Sequence, residues 1–207
     1  MPFVKKQTSE IIEQDSRKRV RDCSSLEQQL SDPNPTARRW AARDLAFCPD
    51  SSTALADRLQ HESDSSVREI ILTTLTQLGD EKAVASLVNY LRSEDVSLRN
   101  EAIDAMKLLP DEVAPIMGKL LKDPDPDVRI FSVNVLESLR HKQVEEWLKE
   151  VIEQDSHVNV CATAVDLLGE VGTAYSQEAL ENLKERFPDE PYIRFAADLA
   201  LNRISST

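Results

Sequence analysis

KDPDPDVRIF, residues Lys122 to Phe131, sets Asp123, Asp125 and Asp127 on alternate positions with prolines between them. Two readings compete. An EF-hand calcium loop takes oxygen ligands at its first, third and fifth positions, which these aspartates would fill, but it also needs glycine at the sixth and glutamate at the twelfth. Those positions hold Val128 and Asn134. The second reading is a helix start, with Asp125 as N-cap, Pro126 as first helical residue and Asp127 as a first-turn acid facing the helix dipole. It gives every residue a use.

The same grammar recurs in SDPNPTARRWAARDL, ESDSSVREIILTTL, SEDVSLRNEAIDAM, EQDSHVNVCATAVDLL and PDEPYIRFAADLAL. An anchor position falls at Arg38, Arg68, Arg99, Arg129, Asn159 and Arg194, with spacings of 30, 31, 30, 30 and 35. Four residues before each stands a side chain able to cap: Asn34, Asp64, Asp95, Asp125, Asp155 and Glu190. Small or apolar residues stand just before each anchor and three after it, which is helical spacing. Shorter amphipathic stretches such as AVASLVNYLRS and VEEWLKEVIEQ precede these helices, so each unit is a helix, a turn and a helix. Neither helix can bury its stripe alone, so the units must stack, at roughly 1.5 to 3 kcal/mol per fully buried large aliphatic side chain. The predicted repeats run from about Leu26 to Ile204.

Short units in which a DP.P.VR pattern opens the second helix resemble HEAT repeats, in particular the roughly thirty-residue kind found in phycobilin lyases. The ankyrin Thr-Pro-Leu-His signature and the tetratricopeptide Trp, Gly and Tyr pattern are missing. The resemblance implies an all-α fold, a right-handed α-α superhelix of about six helical hairpins. It also implies a ladder in which Arg38, Arg68, Arg99, Arg129 and Arg194 pair with aspartates of adjacent turns, among them Asp64, Asp95 and Asp125. Asn159 interrupts that ladder. The expected organisation is a leader over 1–22 and a repeat domain over 23–207. The function implied is a non-catalytic scaffold or adaptor that binds another protein in bacterial signalling or complex assembly. The alternative is a tetrapyrrole-handling subunit or chaperone of the lyase kind.

Composition narrows the rest. With 41% apolar and 30% charged residues, the repeats suit a folded all-helical chain. A net charge of -12 repels a phosphate backbone, so a nucleic-acid partner is not expected. The exception is RKRVR, Arg17 to Arg21, in a segment whose local balance is +2, and it is read as a solvated or helical leader. No apolar signal core opens the chain and no run approaches membrane-spanning length, so the expected compartment is the cytoplasm. Cys23, Cys48 and Cys161 are odd in number and unpaired in spacing, which argues against a disulfide framework.

Catalytic chemistry finds few candidates. HEAT-like deoxyhypusine hydroxylase holds two irons with several His-Glu pairs, whereas this chain has one, His61 and Glu62, among three histidines. His157 and Cys161 lie four apart on one helix and could share a metal, but further ligands are missing and a packed thiol is the preferred reading. No catalytic, cofactor or metal residue is assigned. What remains is surface. At 100 degrees per residue, the positions one, five and eight after each anchor face outward. In early units these are polar, including Arg39, Glu69, Asn100 and Asp104; in later units they become Ile130, Val160, Ala164, Leu167, Phe195 and Leu199. These six are the expected protein-binding face, with a homodimer as the alternative cover.

Overall fold

In the computed structural model, residues 22–139 and 141–206 are described. They form six helical pairs: α1 (Cys23–Gln29) with α2 (Pro35–Asp44), α3 (Ser52–Leu59) with α4 (Ser65–Leu78), and α5 (Glu81–Tyr90) with α6 (Val96–Lys107). The series continues with α7 (Pro110–Leu120) and α8 (Pro126–Leu136), α9 (Val144–Gln154) and α10 (Val158–Val171), and α11 (Gln177–Arg186) and α12 (Pro191–Ser205). Each second helix packs on the next, so α2, α4, α6, α8, α10 and α12 make one continuous layer. First helices form the other, with α3 on α5, α5 on α7 and α9 on α11. The fold is an α-solenoid. The basic leader segment Arg17–Arg21 lies outside the described residues.

The turns settle the cation-loop question. Asp123 accepts the Asp125 N–H at 3.0 Å, and Asp125 accepts the Asp127 N–H at 2.9 Å. Their carboxylates are spent on backbone donors that a helix start leaves orphaned. Asn34, Asp64 and Asp95 cap α2, α4 and α6 in the same way. Glu190 precedes α12 without a side-chain cap bond. At the end of α4, Gly79 takes a left-handed φ of 58, a region that costs glycine nothing.

The fifth unit departs from the expected register. Asp155 does not cap α10; it accepts the His157 N–H at 2.8 Å, as Asp123 accepts that of Asp125, and His157 takes the N-cap position. Asp155 therefore matches Asp123, and Cys161 rather than Asn159 stands in the arginine place. The slip is two residues, or about 200 degrees of helix rotation. It carries Val160, Ala164 and Leu167 from the outward face into the core, where they are 0%, 0% and 6% exposed. Asn159 is exposed.

Four residues after the anchors, Ala42, Leu72, Ile103, Val133 and Val165 are buried. The Thr74 hydroxyl donates to the Ala42 carbonyl at 3.1 Å, so this position meets the following unit. In α12 the equivalent residue is Asp198, exposed and ion-paired to Lys184 at 2.9 Å. This place is thus polar in α12 where it is apolar in the five earlier units.

The first described unit carries a covalent tie. Cys23 and Cys48 form a disulfide, with Cα atoms 5.7 Å apart, contrary to the expectation from their spacing. Twenty-five residues apart in sequence, they meet because α2 folds back along α1. The seven-residue α1 is too short to hold itself helical, and the bridge ties its first turn to the end of the unit. Among the described residues, no helix is long and apolar enough to cross a membrane.

Candidate functional site

The ladder joins adjacent units, with Arg68 on the expected Asp95 and Arg129 on an aspartate of the next turn, but with Glu62 in place of Asp64 at the first joint. Arg38 grips Glu62 through two bonds of 2.7 and 2.8 Å, and Arg58 reaches the same carboxylate at 2.8 Å. Glu62 lies six residues before the anchor of its own unit, whereas Asp64 is occupied capping α4. Burial would raise the Glu62 carboxyl, but Arg38, the Asp64 N–H and Arg58 outweigh it and hold the group down at about 2. Arg129 grips Asp155, again six before the anchor, at 2.6 and 3.0 Å.

Where that position is Ser93, Arg68 turns to Asp95 at 2.8 Å and approaches Glu101 at 3.5 Å. Arg99 has no carboxylate partner among the described residues: it donates to the Ser93 carbonyl and lies over the Phe131 ring, 4.7 Å from its centroid. Asp123 and Asp125 are approached by Arg92 instead, at 2.5 and 3.7 Å. In the fifth unit Arg186 bonds the Ile152 and Asp155 carbonyls, taking over where an arginine is missing. Arg194 is exposed, and no further turn follows α12 among the described residues. The ladder residues are thus structural joints between units.

Cys161 is one of the joints. Its thiol lies 3.3 Å from the Asp155 carbonyl, and burial pushes it up to about 11, far from a reactive thiolate. Among the described residues, no three His, Cys, Asp or Glu converge as a metal site.

Of the six expected surface residues, the structure leaves two outward. Phe195 is 65% and Leu199 41% exposed, and Tyr192, which the sequence reading passed over, joins them at 52%. They lie at i, i+3 and i+7 on α12, one stripe. The Tyr192 hydroxyl donates to Asp166 of α10 at 2.8 Å, tying the stripe to its neighbour. Ile130 leans on the core and is half-buried, so it does not extend the stripe.

With the register corrected, the outward row of α4, α6, α8 and α10 is mainly polar: Glu69, Thr73, Asn100, Asp104, Asn134, Glu137 and Asp166. Two grooves open along it. One between α4 and α6 has a volume of about 660 Å³, and one between α8 and α10 about 240 Å³. A third, of about 670 Å³, lies between α5 and α7 in the other layer.

Comparison with known proteins matches the HEAT-repeat family over residues 24–107, 52–123 and 113–202. No curated protein shows a significant match to the chain. Among solved structures, the Mini spindles TOG3 domain of Drosophila melanogaster is similar at 15% identity and a TM-score of 0.55, covering 89% of this chain and 95% of that one. An archaeal HEAT-like repeats protein from Thermococcus onnurineus is 17% identical with a TM-score of 0.47, covering 89% and 87%. The complex of CpcE and CpcF of phycocyanin lyase from Nostoc sp. is 16% identical with a TM-score of 0.39, covering 98% and 100%. At such identities the likeness is one of fold.

Proposed function

This chain belongs to the HEAT-repeat family, and on that premise we propose that it is a non-catalytic scaffold that binds a protein partner on its second-helix layer during complex assembly or signalling. The observation that carries the reading is the Tyr192, Phe195 and Leu199 stripe: three large side chains left in water on a helix whose other face is fully packed. Burying such side chains against a partner gains roughly 1.5 to 3 kcal/mol each, so the stripe suits an anchor.

Cross-linking in host lysate followed by mass spectrometry tests it, with three proteins: wild type, a Phe195→Glu, Leu199→Glu variant, and an Ala85→Glu control on the exposed side of α5. Circular dichroism first confirms that all are folded. A partner captured by wild type and control but lost from the double variant is the expected result. Identical sets from all three would sink the assignment of this face.

A further inference from the structure

The two grooves on the second-helix layer share an electrostatic character that the other layer lacks. Glu69, Glu101 and Asp104 line the one between α4 and α6; Glu137, Asp166 and Glu170 line the one between α8 and α10. Neither is lined by a lysine or an arginine. By contrast the groove between α5 and α7 mixes Glu81, Glu112 and Asp123 with Arg92 and Lys119. All three grooves are lined by three carboxylates each, and what sets the two on the second-helix layer apart is that no basic side chain in the lining offsets them.

Each acidic groove also has an apolar floor. Leu72, Ala105 and Leu108 form it in the first, where Leu108 is 71% exposed, and Val133 and Leu167 in the second. Lys107 sits between the two grooves and is already engaged by Glu137 at 2.8 Å. Glu101 bonds Ser97 through one oxygen, which Arg68 also approaches at 3.5 Å, while its other oxygen is buried and has no hydrogen-bond partner. Beyond the second groove comes the Tyr192, Phe195 and Leu199 stripe, so the face runs from acidic grooves to an apolar anchor point.

We infer that this face takes a basic amphipathic segment of a partner protein, with an aromatic or aliphatic anchor at one end and lysines or arginines beyond it. The inference rests on the scaffold reading and adds the partner's chemistry to it. Packed helices lie about 8 to 10 Å apart, so the groove centres, two helices apart, are about 16 to 20 Å apart, a span of about 11 to 13 residues of helix. Open grooves keep each charge pair weak, so the anchor supplies most of the affinity and the carboxylates supply selection and salt-sensitive capture. A phosphate backbone is rejected by the same charges, and an acidic segment likewise.

The probe is a fluorescein-labelled amphipathic helical peptide with Leu and Phe at one end and Lys and Arg along the rest, beside a counterpart whose basic residues are Gln. Anisotropy titration of the full chain at about 50 and about 200 mM salt reads binding, since that range changes screening of exposed charges strongly. The test variant is Glu69→Gln, Asp104→Asn, Glu170→Gln. The control, Asp57→Asn, Glu81→Gln, Glu112→Gln, removes the same charge from first helices. The expected result is binding of the basic peptide weakened about tenfold or more in the test variant, and within about twofold of wild type in the control.

Equal weakening in both would reduce the effect to net charge and overturn the inference. Failure of the basic peptide to bind wild type overturns it too. A Gln counterpart that binds as well, and is lost on Phe195→Glu, overturns the partner's charge while leaving the scaffold reading intact. A tenfold gain when Arg17, Lys18, Arg19 and Arg21 are changed to Gln would make the chain's own basic segment the occupant and also overturn it.

Discussion

Where the first turn meets the second, an arginine from one unit and a carboxylate from the next close on each other in the interior. Arg38 is 7% and Glu62 6% exposed, and Arg58 and the Asp64 N–H complete the set. Where the third turn meets the fourth, Arg99 stands in the same place and rests on Phe131 while Arg92 holds Asp123, the residue that corresponds to Glu62. One grammar yields a buried, saturated joint in one place and an aromatic rest in the other. The anchor arginine alone does not make a buried two-bond rung: that takes an acid six residues before the next anchor that is not already held, and where that place holds Ser93, Arg68 makes only the more exposed pair with Asp95.

The sharpest way to break that comparison is to remove the acid from the saturated joint. Glu62→Gln leaves Arg38 buried without its counter-charge and should cost roughly 3 to 5 kcal/mol in urea denaturation, whereas Arg99→Met should cost less than about 1. Similar losses at both sites would mean that the joints are equivalent. Acid makes the same point. A carboxyl held at about 2 in the fold against 4.5 unfolded gives stability that is complete above about pH 4.5 and is lost as pH falls through about 2. Wild type should therefore lose up to about 3 kcal/mol of its advantage over Glu62→Gln across that window. An advantage independent of pH between 2 and 5 would show that the carboxylate is not the source.

A smaller effect separates the fourth and fifth turns. Asp125 and Asp155 occupy the same place when units are counted from the sequence, yet Asp125 is a cap and Asp155 receives Arg129 in the interior. Asp125→Ala should cost about 1 kcal/mol, and Asp155→Ala roughly 2 to 3, since it strands a mostly buried arginine. Equal costs would restore the register read from spacing alone.

That pair also marks how far the sequence could be read. Cap acids and the apolar residues beside them are legible because a helix start needs a short acceptor at a fixed distance, so the hairpin count and HEAT-like fold followed from Asn34, Asp64, Asp95 and Asp125. The rung acid was not, because acids stand both four and six before several anchors and only the packed turn decides which one faces the neighbour's arginine. The fifth register was ambiguous for a related reason. With Asn159 in place of arginine, VNVCATAVDLL offers apolar residues to two phases of one helix, and the phase that lost was the one that exposed Val160, Ala164 and Leu167. Phe195 and Leu199 came through because Arg194 still marked the turn. Recurrence of Asp32, Glu62 and Asp123 six before their anchors was the available signal, and extending it to Asp155 places Cys161 at the anchor.

The smallest effect would build a rung instead of removing one. Ser93 stands where Asp32, Glu62, Asp123 and Asp155 stand in other units, and its hydroxyl accepts the Asp95 N–H at 3.2 Å. An aspartate could make the same bond, as Asp123 does to Asp125. It would also offer a second oxygen to Arg68, whose Nε is buried and has no partner. Ser93→Asp should therefore stabilise the protein by about 0.5 to 1 kcal/mol at neutral pH, limited by the repulsion of Asp95 and by the exposure of the turn. Repeating the measurement with Arg68→Met in the background isolates the pair, because the gain should vanish there. A gain that survives without Arg68 would belong to the turn alone, and the rule that the sixth-position acid makes the rung would fail where it is easiest to install.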